Sequence, residues 1–127
     1  MIRTIIAISI GASLGALLRW RLGIMLNHVL VFLPLGTLTA NLVGGYLIGI
    51  ALALFTLLPD VPEEVRLFVL TGFLGALTTF SAFSAEVLLL LQGQRPVLGL
   101  VAIALHVLGS LGMTFLGAAT VTLFKKL

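Results

Sequence analysis

Thr79, Phe80, Ser81, Ala82, Phe83 and Ser84 stand inside an apolar stretch long enough to cross a membrane. Ser81 and Ser84 are three residues apart, and so are Phe80 and Phe83. That spacing stacks side chains on one face of a helix. Hydroxyls in hydrocarbon need partners, and a passing ion or a neighbouring helix can supply them. Phe80 and Phe83 would ordinarily be packing residues, yet a phenyl edge carries partial positive charge. Ring edges beside hydroxyl or amide donors suit a small, strongly hydrated anion that exchanges water for them, and larger anions are excluded by size. The segment therefore reads as the lining of a permeation pathway.

Other polar residues inside apolar runs extend this reading. Asn41 follows Thr37 and Thr39 in a second run. Its carboxamide must be hydrogen-bonded in hydrocarbon, either as helix–helix glue or as an anion contact through its N–H donors. His106, Ser110 and Thr114 fall four apart each time and make one polar stripe down a helix face. The stripe suits a narrow wet track, although His106 alone would be an ordinary packing histidine. Glu86 is the only acid inside a run. It is either a vestibule residue or an interfacial acid paired with Arg19 or Arg95. Arg19 closes the first run, where it either snorkels or draws anions to a pore mouth.

The elements that position these residues are membrane spans. The chain has 127 residues, 61% hydrophobic and 9% charged, against roughly 25% charged in soluble domains. The bilayer is therefore its solvent. All four prolines fall between apolar runs, at approximately Ile2–Leu26, Leu35–Leu58, Val65–Leu91 and Val97–Phe124. Each run exceeds the ~20 residues needed for a helical span, and short links make residues 1–127 one four-helix transmembrane domain. Arg3 and the apolar residues after it superficially resemble a signal peptide. Arg19 and Arg21 follow at once, so the segment is read as a retained first span. Glu63 and Glu64 complement the N-terminal dipole of the third helix. Gly11 with Gly15, Gly45 with Gly49, and Gly109 with Gly112 have the spacing of close helix packing.

The third span would run about 40 Å as a continuous helix, longer than the ~30 Å hydrocarbon core. Gly72, Gly75, Thr78 and Thr79 at its middle tolerate a break, which would free carbonyls suited to a hard cation. A tilted unbroken helix is the alternative. Arg3, Arg66, Lys125 and Lys126 fall on one side of the membrane, and Arg19, Arg21 and Arg95 on the other. Four against three barely selects an orientation, which favours insertion both ways up and an antiparallel homodimer; a fixed orientation set by Lys125 and Lys126 is the alternative. Several classes fall away. The net charge of +3 comes with no basic stripe, which argues against nucleic acid. With no cysteine, no His-Glu-x-x-His and two distant histidines, an enzyme has no support.

Three segments together resemble the Fluc (CrcB-type) fluoride channels. They are Gly11–Arg19, Gly36–Gly44, and Gly75–Ser84 with Glu86 after it, in the family's order and spacing. The resemblance implies an all-α membrane protein with the third helix broken near its middle. It also implies an antiparallel dual-topology homodimer with two pathways, exporting fluoride passively across the cell membrane. Phe80 and Phe83 would contact fluoride and Asn41 would donate to it. Ser81, Ser84, Ser110 and Thr114 would continue the polar track, with His106 beside it and Arg19 and Glu86 in the vestibule. A sodium ion on the dimer axis would be held by backbone carbonyls of Gly75 and Thr78. Ala82 stands where the family often has a second hydroxyl, which weakens the polar lining locally. The competing class is a small dual-topology, proton-coupled multidrug exporter. Such exporters depend on an acid in the first helix, and the first span here has none.

Overall fold

The computed structural model describes residues 1–30 and 32–125; Lys126, counted in the charge balance above, lies outside the described residues. Four helices are long and apolar enough to cross a membrane. Helices α1 (Ile2–Leu26) and α2 (Leu35–Leu57) are continuous. The third span, Glu63–Gln92, is composite. It comprises α3 (Glu63–Leu67), a π-helical segment (Phe68–Leu74), α4 (Gly75–Leu77) and α5 (Phe80–Gln92). Helix α6 (Pro96–Phe124) completes the chain.

The links show why the spans end where they do. Pro34 and Pro62 precede the first residues of α2 and α3, and Pro96 opens α6, where a missing N–H costs nothing. Glu63 and Glu64 occupy the first turn of α3. Arg66 reaches back to the end of α2, donating to the carbonyls of Phe55 (3.3 Å), Leu58 (3.1 Å) and Pro59 (3.0 Å). Phe55 lies in the last turn of α2, where carbonyls lack helical partners, and Leu58 and Pro59 follow it, so one cation ties the second span to the third. Asn27 Oδ1 accepts from the Gly36 amide at 2.8 Å and closes the link between α1 and α2.

Small residues set the helix pairing. Lipid tails are as apolar as leucine, so association in a bilayer rests on close packing. Helix α1 lies on the π-helical segment through Gly11, where a Cβ would come within 2.5 Å of the Phe68 carbonyl oxygen. From the other side, a Cβ on Gly72 would come within 2.7 Å of the Ile8 carbonyl oxygen. Helices α2 and α6 meet in the same way. A Cβ on Gly49 would collide with the Thr114 carbonyl, and one on Gly117 with the Tyr46 carbonyl. Tyr46 and Thr120 pair through their hydroxyls at 3.2 Å. Gly112 departs from the packing reading, because a Cβ there meets nothing within 4 Å. Ala40, Ala51, Leu74 and Leu77 form the buried core. Leu89, Leu100 and Leu108 are each about two-thirds exposed, as side chains facing lipid would be.

Candidate functional site

The third span is interrupted at Thr78 and Thr79, whose backbones are extended (φ −80°, ψ 154° and φ −152°, ψ 118°). The break falls on the threonines. Gly75 keeps helical angles and Gly72 lies within the π-helical segment. An extended backbone needs no glycine, and β-branched residues adopt it readily. Thr79 restarts the helix as an N-cap, its Oγ1 accepting from the Ala82 amide at 3.1 Å.

Asn41 bridges the break from α2. Its Oδ1 accepts from the Thr79 amide at 2.7 Å and its Nδ2 donates to the Thr79 carbonyl at 3.0 Å. A backbone N–H can only donate and a carbonyl can only accept, so this pair fixes which way the carboxamide points. Nδ2 also lies 2.9 Å from His106 Nδ1. In an unbroken helix the Thr79 amide would close on the Gly75 carbonyl and the Ala82 amide on the Thr78 carbonyl. Here both amides are engaged elsewhere, and those two carbonyls lose their helical partners.

A groove of about 410 Å³ runs along one side of the break. Asn41, Thr78, Thr79, Phe80, Phe83, His106, Ser110 and Thr114 line it together with small and aliphatic residues. Phe83 is buried and stacked on the His106 ring, with centroids 4.6 Å apart and an interplanar angle of 25°. Phe80 meets Phe83 edge to face at 5.4 Å and is 76% exposed on the open side. His106 is buried, and its Nε2 has no partner. The polar stripe of α6 thus faces the rings of α5 across the groove.

A second cavity of about 530 Å³ lies on the other side of the break, lined by Arg19, Asn27, Thr37, Thr79 and Ala82 among others. Arg19 Nε is buried there without a partner. Thr79 borders both cavities. Glu86 accepts a hydrogen bond from Thr37 Oγ1, which connects it to the wall of the Arg19 cavity. Arg95 shares a third depression with Glu86 and places its guanidinium 3.8 Å from the centre of the Phe32 ring.

The structure therefore gathers Asn41, Phe80, Phe83, His106, Ser110 and Thr114 around one groove, with Thr78 at its edge. Gly75 lies one turn before the break, and Arg19 lies across it. Ser81 and Ser84 are not among the groove's lining residues. They sit exposed on α5, where Ser84 Oγ donates to the Phe80 carbonyl at 2.8 Å. The contribution of Thr37 and the cap role of Thr79 escaped the sequence reading. Thr37 stands four residues before Asn41 and so shares its helix face, a signal that was present. Thr79 carries the usual N-cap chemistry, hidden by its apolar surroundings. Among the described residues no cluster of three or more His, Cys, Asp or Glu side chains could hold a metal ion.

Four spans, one of them broken, with a polar groove on one side of the break and an arginine-lined cavity on the other, define a multi-pass membrane protein. The family model described as CrcB-like protein, Camphor Resistance (CrcB), matches residues 6–118, and the chain belongs to that family. A Desulfovibrio desulfuricans relative is 57% identical over 125 residues, covering 98% of this chain and 97% of its own. A Tolumonas auensis relative is 56% identical over 126 residues, covering 99% of each. A Pseudomonas aeruginosa relative is 58% identical over 117 residues, covering 92% of each. All three are named fluoride-specific ion channel FluC.

Proposed function

We propose that this chain is a fluoride-selective channel that exports fluoride passively across the cell membrane, with residues 1–127 as one transmembrane domain. The names of its relatives support fluoride as the permeant ion. The observation that carries the reading is the groove itself, where a phenylalanine pair faces the His106–Ser110–Thr114 stripe at a helix break. Arg19 concentrates anions in the cavity across the break, and an ion sheds water as it passes Thr79 into the groove. Ring edges of Phe80 and Phe83 offer partial positive charge there without a full charge that would trap the ion. Asn41 holds the break open, and the α6 stripe continues the polar wall. Ser81 and Ser84 would extend this track from α5, and Glu86, held by Thr37, borders the vestibule.

The functional unit is an antiparallel, dual-topology homodimer with two pathways. The near balance of basic residues supports insertion in both orientations. The exposure of Phe80 at the groove's open side leaves a wall for a second copy to complete. Carbonyls of Gly75 and Thr78 without helical amide partners fit a sodium ion on the dimer axis, contributed by both copies. Sodium bound there would supply positive charge to the paired breaks, and this chain's part is to hold the carbonyls in place.

Release of fluoride from liposomes containing the purified protein tests the proposal, with chloride as control and no proton gradient. Rapid fluoride release without chloride release is expected. No fluoride release from folded protein would contradict it.

A further inference from the structure

We infer that the depression beside Arg95 is a phospholipid headgroup site that takes phosphatidylethanolamine, with the phosphate on Arg95 and the ammonium on Glu86. The inference goes beyond the channel reading and requires only that the chain spans a bilayer.

The depression has a volume of about 310 Å³. Phe32 and Pro34 border it from the link between α1 and α2. Glu86, Leu89 and Leu90 line it from α5, and Arg95 stands at the start of α6. Arg95, Phe32 and Leu89 are exposed, Leu89 by about two-thirds. Apolar and charged side chains thus share one open recess.

Its depth suits a headgroup. The third span, Glu63–Gln92, has 30 residues. Helical throughout, such a span would run roughly 45 Å, against a hydrocarbon core of ~30 Å. Its ends therefore project past the core. Glu86 precedes Gln92 by six residues, about 9 Å of helix, and so stands near the core boundary. Arg95, beyond Gln92, stands at headgroup level. Trp20, 63% exposed near the end of the first span, marks the boundary on the same side.

The recess carries two groups of opposite sign, each held by its own neighbour. The Arg95 guanidinium lies 3.8 Å from the centre of the Phe32 ring. Stacking engages the face of a guanidinium and leaves its N–H edge to fork onto a phosphate. Thr37 donates to Glu86 Oε1, and a carboxylate has capacity for further donors.

Charge complementarity selects among headgroups. A lone phosphate on Arg95 would also face the Glu86 carboxylate. Phosphatidylglycerol brings a phosphate without a cation, and phosphatidylcholine brings a cation without an N–H. Ethanolamine carries the phosphate and an ammonium with three N–H donors. The acyl chains then continue over Leu89 and Leu90. Because Thr37 lines the Arg19 cavity, the headgroup sits one hydrogen bond away from that cavity's wall.

The test is native mass spectrometry of the full-length protein, released from membranes of equimolar dioleoyl phosphatidylethanolamine, phosphatidylcholine and phosphatidylglycerol. Phosphatidylethanolamine should be retained about fivefold over each of the others, the scale of one partly exposed ion pair. Arg95→Gln removes the phosphate partner and Phe32→Leu the ring that holds it, and both should lose most of the retained lipid. Glu86→Gln should keep bound lipid but bring phosphatidylethanolamine down to the phosphatidylcholine level.

Preferential retention of phosphatidylglycerol would overturn the inference and make Arg95 an ordinary surface cation. Equal retention of phosphatidylethanolamine and phosphatidylcholine would also overturn it. So would displacement of the lipid by millimolar inorganic phosphate, which would reveal an aqueous anion site. Unchanged retention in folded Arg95→Gln would place the lipid elsewhere on the protein. If Arg95→Gln fails to fold, Phe32→Leu decides the same point. None of these outcomes touches the channel reading, which liposome efflux tests separately.

Discussion

Replacing Asn41 with leucine removes the bridge across the break while keeping a similar volume. Three groups lose their partner: the Thr79 amide, the Thr79 carbonyl and His106 Nδ1. A buried polar group left unpaired costs roughly 1–3 kcal/mol. Interhelical hydrogen bonds in membrane proteins average nearer 0.6 kcal/mol, because the unfolded chain also finds partners (~0.6, up to ~1.7). Between these limits the variant should lose on the order of 2–6 kcal/mol, a large part of a typical ~5–15 kcal/mol. Asn41→Asp keeps an acceptor for the Thr79 amide but loses both donations and sets a carboxylate oxygen against the Thr79 carbonyl inside a span, so it should also be destabilised. The assay is the thermal midpoint in detergent, followed by the fraction eluting as folded protein after heating. Midpoints of both variants should fall below that of the wild type. An Asn41→Leu protein as stable as wild type would refute the idea that this carboxamide holds the break.

Other perturbations test separate parts of the structure. Gly49→Ala places a methyl group against the Thr114 carbonyl and should destabilise the α2–α6 pair by roughly 1–3 kcal/mol, seen as a lower thermal midpoint; Gly112→Ala, which meets nothing within 4 Å, is the control. Phe80→Ile keeps an apolar side chain at an exposed position but removes the ring edge, so fluoride efflux should fall while size-exclusion elution is unchanged. Gln94 has a left-handed backbone, with φ of 55°. Gln94→Gly should therefore raise the thermal midpoint modestly, by up to about 1–2 kcal/mol in stability, without altering efflux.

The spans were legible because their signals are local. Prolines and charged links bound each apolar run, and the helix ends fall within a few residues of the expected positions. The break was legible as a place but not as a cause. Of the four residues expected to tolerate it, Gly72 and Gly75 remain helical and the chain opens at Thr78 and Thr79. Their extended backbone is supported by Asn41, 38 residues away. No local pattern carries that contact. The π-helical segment Phe68–Leu74 has an ordinary apolar sequence, and its close fit against Gly11 emerges only from packing.

The stripe of His106, Ser110 and Thr114 was readable from its period alone, and all three line one groove. Ser81 and Ser84 obey the same rule but are exposed and do not line this groove, Ser84 Oγ bonding the Phe80 carbonyl and Ser81 Oγ lying 3.3 Å from Thr79 Oγ1. Periodicity states which residues share a face and not what that face meets. The Thr37–Glu86 hydrogen bond spans 49 residues and lay beyond a one-dimensional reading for the same reason.

Current through the purified protein in a planar bilayer, under opposed fluoride and chloride gradients, tests the central claim most directly. The account predicts a reversal potential at the fluoride equilibrium value, unchanged when chloride is varied and unchanged by a proton gradient. A reversal potential that follows chloride, or transport that appears only with a proton gradient, would contradict it.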